Sequence, residues 1–164
     1  MSGERFFTVE QANDLIPQLS HLMAAQMKLL TQIEEHVRAL SDVIGPLDEA
    51  SARPSDADPP AVRSRKEDLA RVVQLYRDGW SRIEQTGAVI KDPRMGLLDF
   101  HAKIDGEAVF LCWQFGEPEI AWYHSLYTGY TARQRLPTAV AQPTLNSCRE
   151  TVAHRSRRRG ACGP

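Results

Sequence analysis

The sequence predicts an α+β protein in which a long antiparallel helical hairpin packs on a small antiparallel sheet of three or four strands. Two observations predict this fold class. Two long segments repeat apolar residues every three or four positions, which is the period of a helix with one buried face. After Gly87 the period changes to two, and Asp105-Gly106 separates two strand-like segments, which is a strong short-range signal of a β-hairpin.

The first helical segment covers residues 8–44. Thr8 and Gln11 have the spacing of a capping box, so we expect the helix to begin there. Pro17 lies inside the segment, and because an interior proline costs about 3 kcal/mol, we expect a kink or break near residues 13–16. The apolar stripe contains Ala12, Leu15, Leu19, Leu22, Leu29, Ile33, Leu40 and Ile44.

Residues 45–60 hold four of the ten prolines and predict a flexible loop. A second amphipathic helix follows over residues 61–86, and Gly87 is placed to end it. Its start has two candidate caps, either Asp58 or a capping box of Ser64 with Glu67. Because each stripe alone would leave large apolar side chains in water, the two helices predict an antiparallel hairpin.

The predicted sheet covers residues 88–130. Leu97–Ile104 and Glu107–Phe115 form the central hairpin. Residues 120–126 form a third strand, and residues 88–90 add a short edge.

Polar side chains with metal-binding chemistry collect on one face of this sheet. Pairing across the turn sets Asp99 opposite Cys112, with His101 on the same face. Glu117 from the next turn and His124 from the third strand complete a set of N, O and S donors for zinc or iron. The structural alternative is that these residues are packed and hydrogen-bonded parts of the sheet, and it has the larger weight.

The register of the third strand decides whether His124 reaches this face. Symmetric pairing across a four-residue turn sets Trp113 opposite Trp122 and places His124 on the opposite, aromatic face. A single bulge shifts the strand by one residue and returns His124 to the face of Asp99. The sequence leaves both registers open.

Composition limits the classes of function. The 164 residues suffice for one domain, residues 1–136, and the net charge of -1 offers no global attraction for nucleic acid or a membrane. No apolar run is long enough to span a bilayer and the start has no leader pattern, so we expect a cytoplasmic protein. The three cysteines predict no disulfide framework. The motifs of phosphate loops, serine hydrolases and zinc proteases do not occur in the sequence.

Residues 137–164 predict a disordered basic tail, because they have no sustained period and hold five Arg against one Glu. Four of these arginines lie between Arg155 and Arg159. Such a cluster binds phosphate nonspecifically, or it only solubilises the end of the chain.

Four motifs carry a resemblance to a known family. They are FTVEQANDLIPQL at residues 7–19, KDPRMGLLDF at 91–100, LCWQFGEPEIAWYH at 111–124 and GYTARQRLP at 129–137. With these motifs the chain resembles an uncharacterised bacterial family, the domain of unknown function 2203. The resemblance implies a small cytoplasmic protein with a helical hairpin and a short sheet, and it brings no established activity.

The resemblance also bears on the candidate residues. Asp99, Glu117, His124 and Arg133 fall on motif positions of the family. His101 stands where family members commonly have proline, which sets it apart from a family-wide site.

We expect a noncatalytic interaction module that self-associates as a homodimer through a coiled-coil-like hairpin, because its helices have more apolar stripe than one small sheet can cover. An unknown protein partner fits the same surface. The alternative is a metal-binding protein or metal-dependent enzyme with zinc or iron that uses the polar cluster of the sheet. Trp113 and Arg133 are other binding candidates, separate from the metal ligands. A weaker alternative is an RNA-associated protein that uses the arginine tail. The sequence names no substrate or reaction.

Overall fold

A computed structural model describes residues 5–137, which form a helical hairpin against one face of a five-stranded antiparallel sheet. The helices are α1 (Val9–Asn13), α2 (Ile16–Ile44) and α3 (Pro60–Gln85). The strands are β1 (Val89–Asp92), β2 (Leu97–Ile104), β3 (Glu107–Gln114), β4 (Trp122–Ser125) and β5 (Gln134–Arg135), and a 3₁₀ turn at Tyr130–Ala132 precedes β5. The predicted α+β class is confirmed, whereas the predicted count of three or four strands is one or two too low. No helix within residues 5–137 is long and apolar enough to cross a membrane.

Pro17 explains the predicted break between α1 and α2, which the structure confirms. It occupies the first turn of α2, where the missing N–H of a proline costs no helical hydrogen bond. The predicted capping box begins α1, with reciprocal hydrogen bonds of 3.1 Å between Thr8 and Gln11. Just before the break, the side-chain oxygen of Asn13 accepts a hydrogen bond from Ile120 N at 2.7 Å. The end of α1 is thereby tied to the turn that leads into β4.

Both predicted caps of α3 are wrong. Pro59 occupies the N-cap position, and no side chain caps this end of the helix. Asp58 instead accepts a hydrogen bond from Lys66 Nζ at 2.8 Å, and the side chain of Lys66 is buried. Ser64 and Glu67 lie within the helix because it begins at Pro60. The acidic side chain before α3 therefore anchors the connection through an ion pair.

Two apolar clusters divide the interior. The main core joins the near end of the hairpin to one face of the sheet, and its largest buried members are Leu19, Met23, Ile83, Leu98, Phe100, Leu111 and Trp113. The second cluster lies in the far part of the hairpin and is built on Leu40, Val62 and Leu69. The sheet contributes no residue to this second cluster, so the far part of the hairpin is held together by helix-to-helix contacts and the connecting loop.

The turn between β2 and β3 has the conformation that its sequence predicts. Asp105 and Gly106 have φ angles of 52° and 86°, the two positive values that a type I′ turn needs. The predicted register is confirmed, with Asp99 opposite Cys112. Because side chains alternate across a strand, this register divides β2 and β3 into an apolar face toward the helices and a mixed face away from them.

The strand β4 lies one residue away from the symmetric register. Cys112 stands opposite Trp122 and Phe110 opposite His124, so the symmetric prediction is wrong and the shifted alternative is right. A closed turn accounts for the shift, because Glu117 N donates to Gln114 O at 2.9 Å and two further residues follow before Ile120. His124 consequently shares a face with Asp99.

Phe7 closes the core between the sheet and the end of α3. Its N–H donates to His101 O at 2.7 Å, and its ring meets Phe100 edge-on with centroids 5.3 Å apart. Gly87 follows α3 with a φ of 94°, and a Cβ added there would lie 2.7 Å from Phe7 Cζ. Position 87 therefore requires glycine both for its backbone angle and for the space that Phe7 fills.

Replacing Gly87 by alanine should lower the free energy of unfolding by about 2 to 4 kcal/mol, since it adds a steric clash to the strain of a positive φ. Gly106→Ala is the matched control, because Gly106 has a φ of 86° and no atom within 4 Å of the added Cβ. Its loss should be about 1 to 2 kcal/mol. Urea unfolding followed by circular dichroism measures both. Equal losses would show that Phe7 does not constrain position 87.

Candidate functional site

Three side chains able to bind a metal or carry a proton meet on the face of the sheet opposite the helices. They are Asp99 from β2, Cys112 from β3 and His124 from β4, and one ligand atom of each lies within 4.8 Å of the others. Their exposed fractions are 0%, 1% and 3%. Within residues 5–137 this is the one such group of three.

Strand pairing positions all three residues. Asp99 and Cys112 are direct partners across β2 and β3. His124 is the partner of Phe110, so it stands diagonal to Cys112 on the same face. The large apolar neighbours of these residues, such as Leu98 and Leu111, point to the helices instead, which leaves this face to polar and aromatic side chains.

Both ring nitrogens of His124 are engaged. Nδ1 lies 2.8 Å from Ser125 O, and because a carbonyl oxygen only accepts, Nδ1 carries a hydrogen and donates it. Nε2 lies 3.0 Å from Asp99 Oδ2, a contact that requires one proton between the imidazole and the carboxylate. His124 therefore has no nitrogen left to deprotonate Cys112, and a catalytic triad of the cysteine-protease kind does not fit this geometry.

Burial dominates the electrostatics of the cluster. It raises the pKa of the Asp99 carboxyl above its usual value, although the charges of His124 and Lys91 oppose this rise. Asp99 Oδ1 is buried and has no hydrogen-bond partner among the described residues. Burial, and then the neighbouring Asp99 charge, raises the pKa of the Cys112 thiol to about 12. At neutral pH, without a cation at the site, Cys112 is therefore a protonated thiol and not a nucleophile.

Two other predicted ligands lie outside this group. His101 shares the face, but its ring packs on Phe110 with centroids 4.5 Å apart. The carboxylate of Glu117 accepts hydrogen bonds of 2.9 Å from Arg133 Nη1 and from Gln114 N. Glu117 thus shapes the turn before β4, and His101 belongs to the aromatic packing of the face.

The two further binding candidates have structural contacts. Trp113 is fully buried in the core on the helix side, and its Nε1 donates to Glu117 O at 2.9 Å. The Arg133 guanidinium lies 4.7 Å from the ring centroid of Trp122 and 4.2 Å from that of Tyr130. Arg133 therefore joins the β4–β5 edge to the Glu117 turn through one ion pair and two cation–π contacts.

Lys91 belongs to the site but is missing from the sequence prediction. Its Nζ lies 3.7 Å from Asp99 Oδ2 and 3.9 Å from the ring centroid of Phe110. The predicted edge strand ends at residue 90, whereas β1 continues to Asp92. No local signal in the sequence indicates Lys91, because the pairing of β1 with β2 shifts register between Ile90 and Asp92.

The arginine cluster at residues 155–159 lies outside the described residues. Binding of RNA through the tail therefore stays a prediction.

Stability at alkaline pH should depend on Cys112. The folded chain keeps the thiol proton up to a pKa of about 12, whereas the unfolded chain releases it near the ordinary 9.0. The unfolded state then binds fewer protons, so the free energy of unfolding falls as pH rises above about 9, by about 1 kcal/mol per pH unit after allowance for solvent screening. Cys112→Ser should remove this part of the fall in the free energy of unfolding.

The measurement is urea unfolding at several pH values with a chelator present, which compares the slopes of the two proteins. Lysines and tyrosines titrate in both, so the difference in slope isolates Cys112. Identical slopes would mean that the thiol is not buried in the folded protein.

Comparisons with known proteins place the chain in a family and go no further. No curated protein and no solved structure matches it. Residues 5–136 match the uncharacterized conserved protein family DUF2203, a span that contains both helices of the hairpin and the whole sheet. The chain therefore belongs to the DUF2203 family.

Proposed function

We propose that this protein is a noncatalytic interaction module whose helical hairpin pairs with the hairpin of a second copy. The observation that supports this proposal is a set of large apolar side chains left in water along the hairpin: Val37, Val43, Ile44 and Leu75. Such side chains can pack against the helices of a second hairpin, as in a four-helix bundle.

The reach of the sheet explains why Val37, Val43 and Ile44 of α2 are left uncovered. The 29 residues of α2 span about 43 Å at 1.5 Å per residue. The main core includes residues of α2 only as far as Met27. From residue 28 to residue 44 the described partner of α2 is α3, together with the loop that joins them. In a two-helix hairpin each helix buries only the side that faces the other helix. In a four-helix bundle each helix also buries a second side against its other neighbour.

The charges of the two helices favour a second copy over an unrelated partner. The α2 segment has two basic and three acidic residues, and α3 has six basic and four acidic residues. The net charges are -1 and +2, so α2 of one copy attracts α3 of the other. A two-fold axis between hairpins creates this contact twice, as in most homodimers.

Leu75→Asp should lower the mass measured by light scattering at micromolar concentration from that of a dimer toward that of a monomer. Leu75 is 52% exposed, so a carboxylate there costs little in the monomer but would be desolvated in the dimer. Met95→Asp is the matched control: Met95 is 46% exposed and lies in the turn between β1 and β2, outside both helices.

The proposal requires a dimer in the wild-type protein and in Met95→Asp, with both variants folded by circular dichroism. A wild-type protein that is monomeric throughout the micromolar range would contradict it. Equal dissociation of both variants would place the interface elsewhere.

A further inference from the structure

We propose that Asp99, Cys112 and His124 bind one zinc ion. They supply three of the four ligands of a tetrahedral site, the number that zinc sites with one solvent ligand take from the protein. The site lies on the opposite face of the sheet from the hairpin, so the inference does not rest on self-association.

The spacing of the three side chains fits this metal. Ligands at zinc–nitrogen, zinc–oxygen and zinc–sulfur distances around a tetrahedral ion are roughly 3.3 to 3.6 Å apart. Asp99 Oδ2 and His124 Nε2 are 3.0 Å apart, and the full set of ligand atoms, Cys112 Sγ included, falls within 4.8 Å. Each residue sits on a different, hydrogen-bonded strand, so the backbone of the sheet holds the three ligands together in the absence of the ion.

The orientation of His124 is that of a metal ligand. Its Nδ1–H donates to Ser125 O at 2.8 Å, which fixes the ring and directs Nε2 toward Asp99. Backbone carbonyls commonly hold metal-binding histidines in this way, with the other nitrogen free for the metal.

Asp99 supplies an independent observation. Its Oδ1 is buried without a hydrogen-bond partner among the described residues, although buried carboxylate oxygens are normally paired. Lys91 Nζ lies 3.7 Å from the other oxygen and is itself 38% exposed, so it compensates the charge only in part. A divalent cation held by both carboxylate oxygens would neutralise the charge and would also give Oδ1 a partner.

The donor set selects the class of metal. A thiolate, an imidazole and a carboxylate together favour zinc, whereas magnesium and calcium prefer oxygen ligands alone. Two negative ligands and one neutral imidazole also balance the two charges of the ion.

Binding releases two protons. The Cys112 thiol loses one when its sulfur becomes a thiolate ligand. The second is the proton held between His124 Nε2 and Asp99 Oδ2. It is released because both atoms bind the metal through the lone pairs that held it. The Nδ1 proton stays with Ser125 O. No electrons are transferred.

Calorimetric titration of the metal-free full-length protein with zinc chloride tests this balance. We expect about one zinc ion per chain and about two protons released, obtained from the dependence of the heat on the ionisation enthalpy of the buffer. Zinc uptake without proton release would show that neither the Cys112 thiol nor the His124–Asp99 pair gives up its proton to bind the ion. This result would overturn the proposal.

Cobalt(II) reports the ligands directly, because a thiolate ligand gives an intense charge-transfer absorption. Cys112→Ser should abolish this absorption, and His124→Ala should weaken zinc binding at least tenfold. His101→Ala is the matched control on the same face, and Cys148→Ser with Cys162→Ser is the control for the other thiols. Both controls should bind like the wild-type protein.

A wild-type protein that takes up neither zinc nor cobalt would contradict the proposal, as would a site that survives both Cys112→Ser and His124→Ala. Loss of cobalt absorption in the Cys148/Cys162 variant, with Cys112 intact, would assign the metal to those thiols instead.

Discussion

The hydrogen bond between His124 and the buried carboxylate of Asp99 is the constraint on which the outer half of the sheet depends. Burying the Asp99 carboxylate costs free energy unless a polar side chain hydrogen-bonds to it. Strand β4 supplies His124 as that hydrogen-bond partner. This hydrogen bond fixes the register of β4, because a shift of one residue would place Tyr123 instead of His124 on the face that carries Asp99. With this register Trp122 faces outward, where it meets Arg133 and pairs with β5.

The hairpin and the sheet carry different chemistry. The near end of the helices covers the apolar face of the sheet and completes the main core. The far part extends past the sheet, and its interior is a second cluster built on Leu40 and Leu69. Surface suited to a partner therefore lies on the helices, and polar groups suited to a ligand lie on the opposite side of the sheet. One small domain can hold both without competition between them.

The sequence predicted those helix ends and turns that are determined by residues close to one another in the chain. Pro17 marks the helix break, Gly87 marks the end of α3, and the Asp105 turn fixes the central register, since each acts within a few residues. The strand β5 and the position of His124 depend on residues distant in sequence. The candidate site shows the same division: Asp99 and Cys112 follow from the turn, whereas Lys91 and His124 required the tertiary arrangement.

The sheet holds His124 so that Nδ1 donates to Ser125 O and Nε2 faces the buried carboxylate of Asp99. Nitrogen-15 NMR of the imidazole in metal-free protein measures this most directly. We expect a protonated Nδ1 whose hydrogen exchanges slowly with water, and one further proton shared between Nε2 and Asp99. An imidazole whose proton resides on Nε2 alone, or one whose Nδ1 hydrogen exchanges as fast as that of a free histidine, would be incompatible with this arrangement.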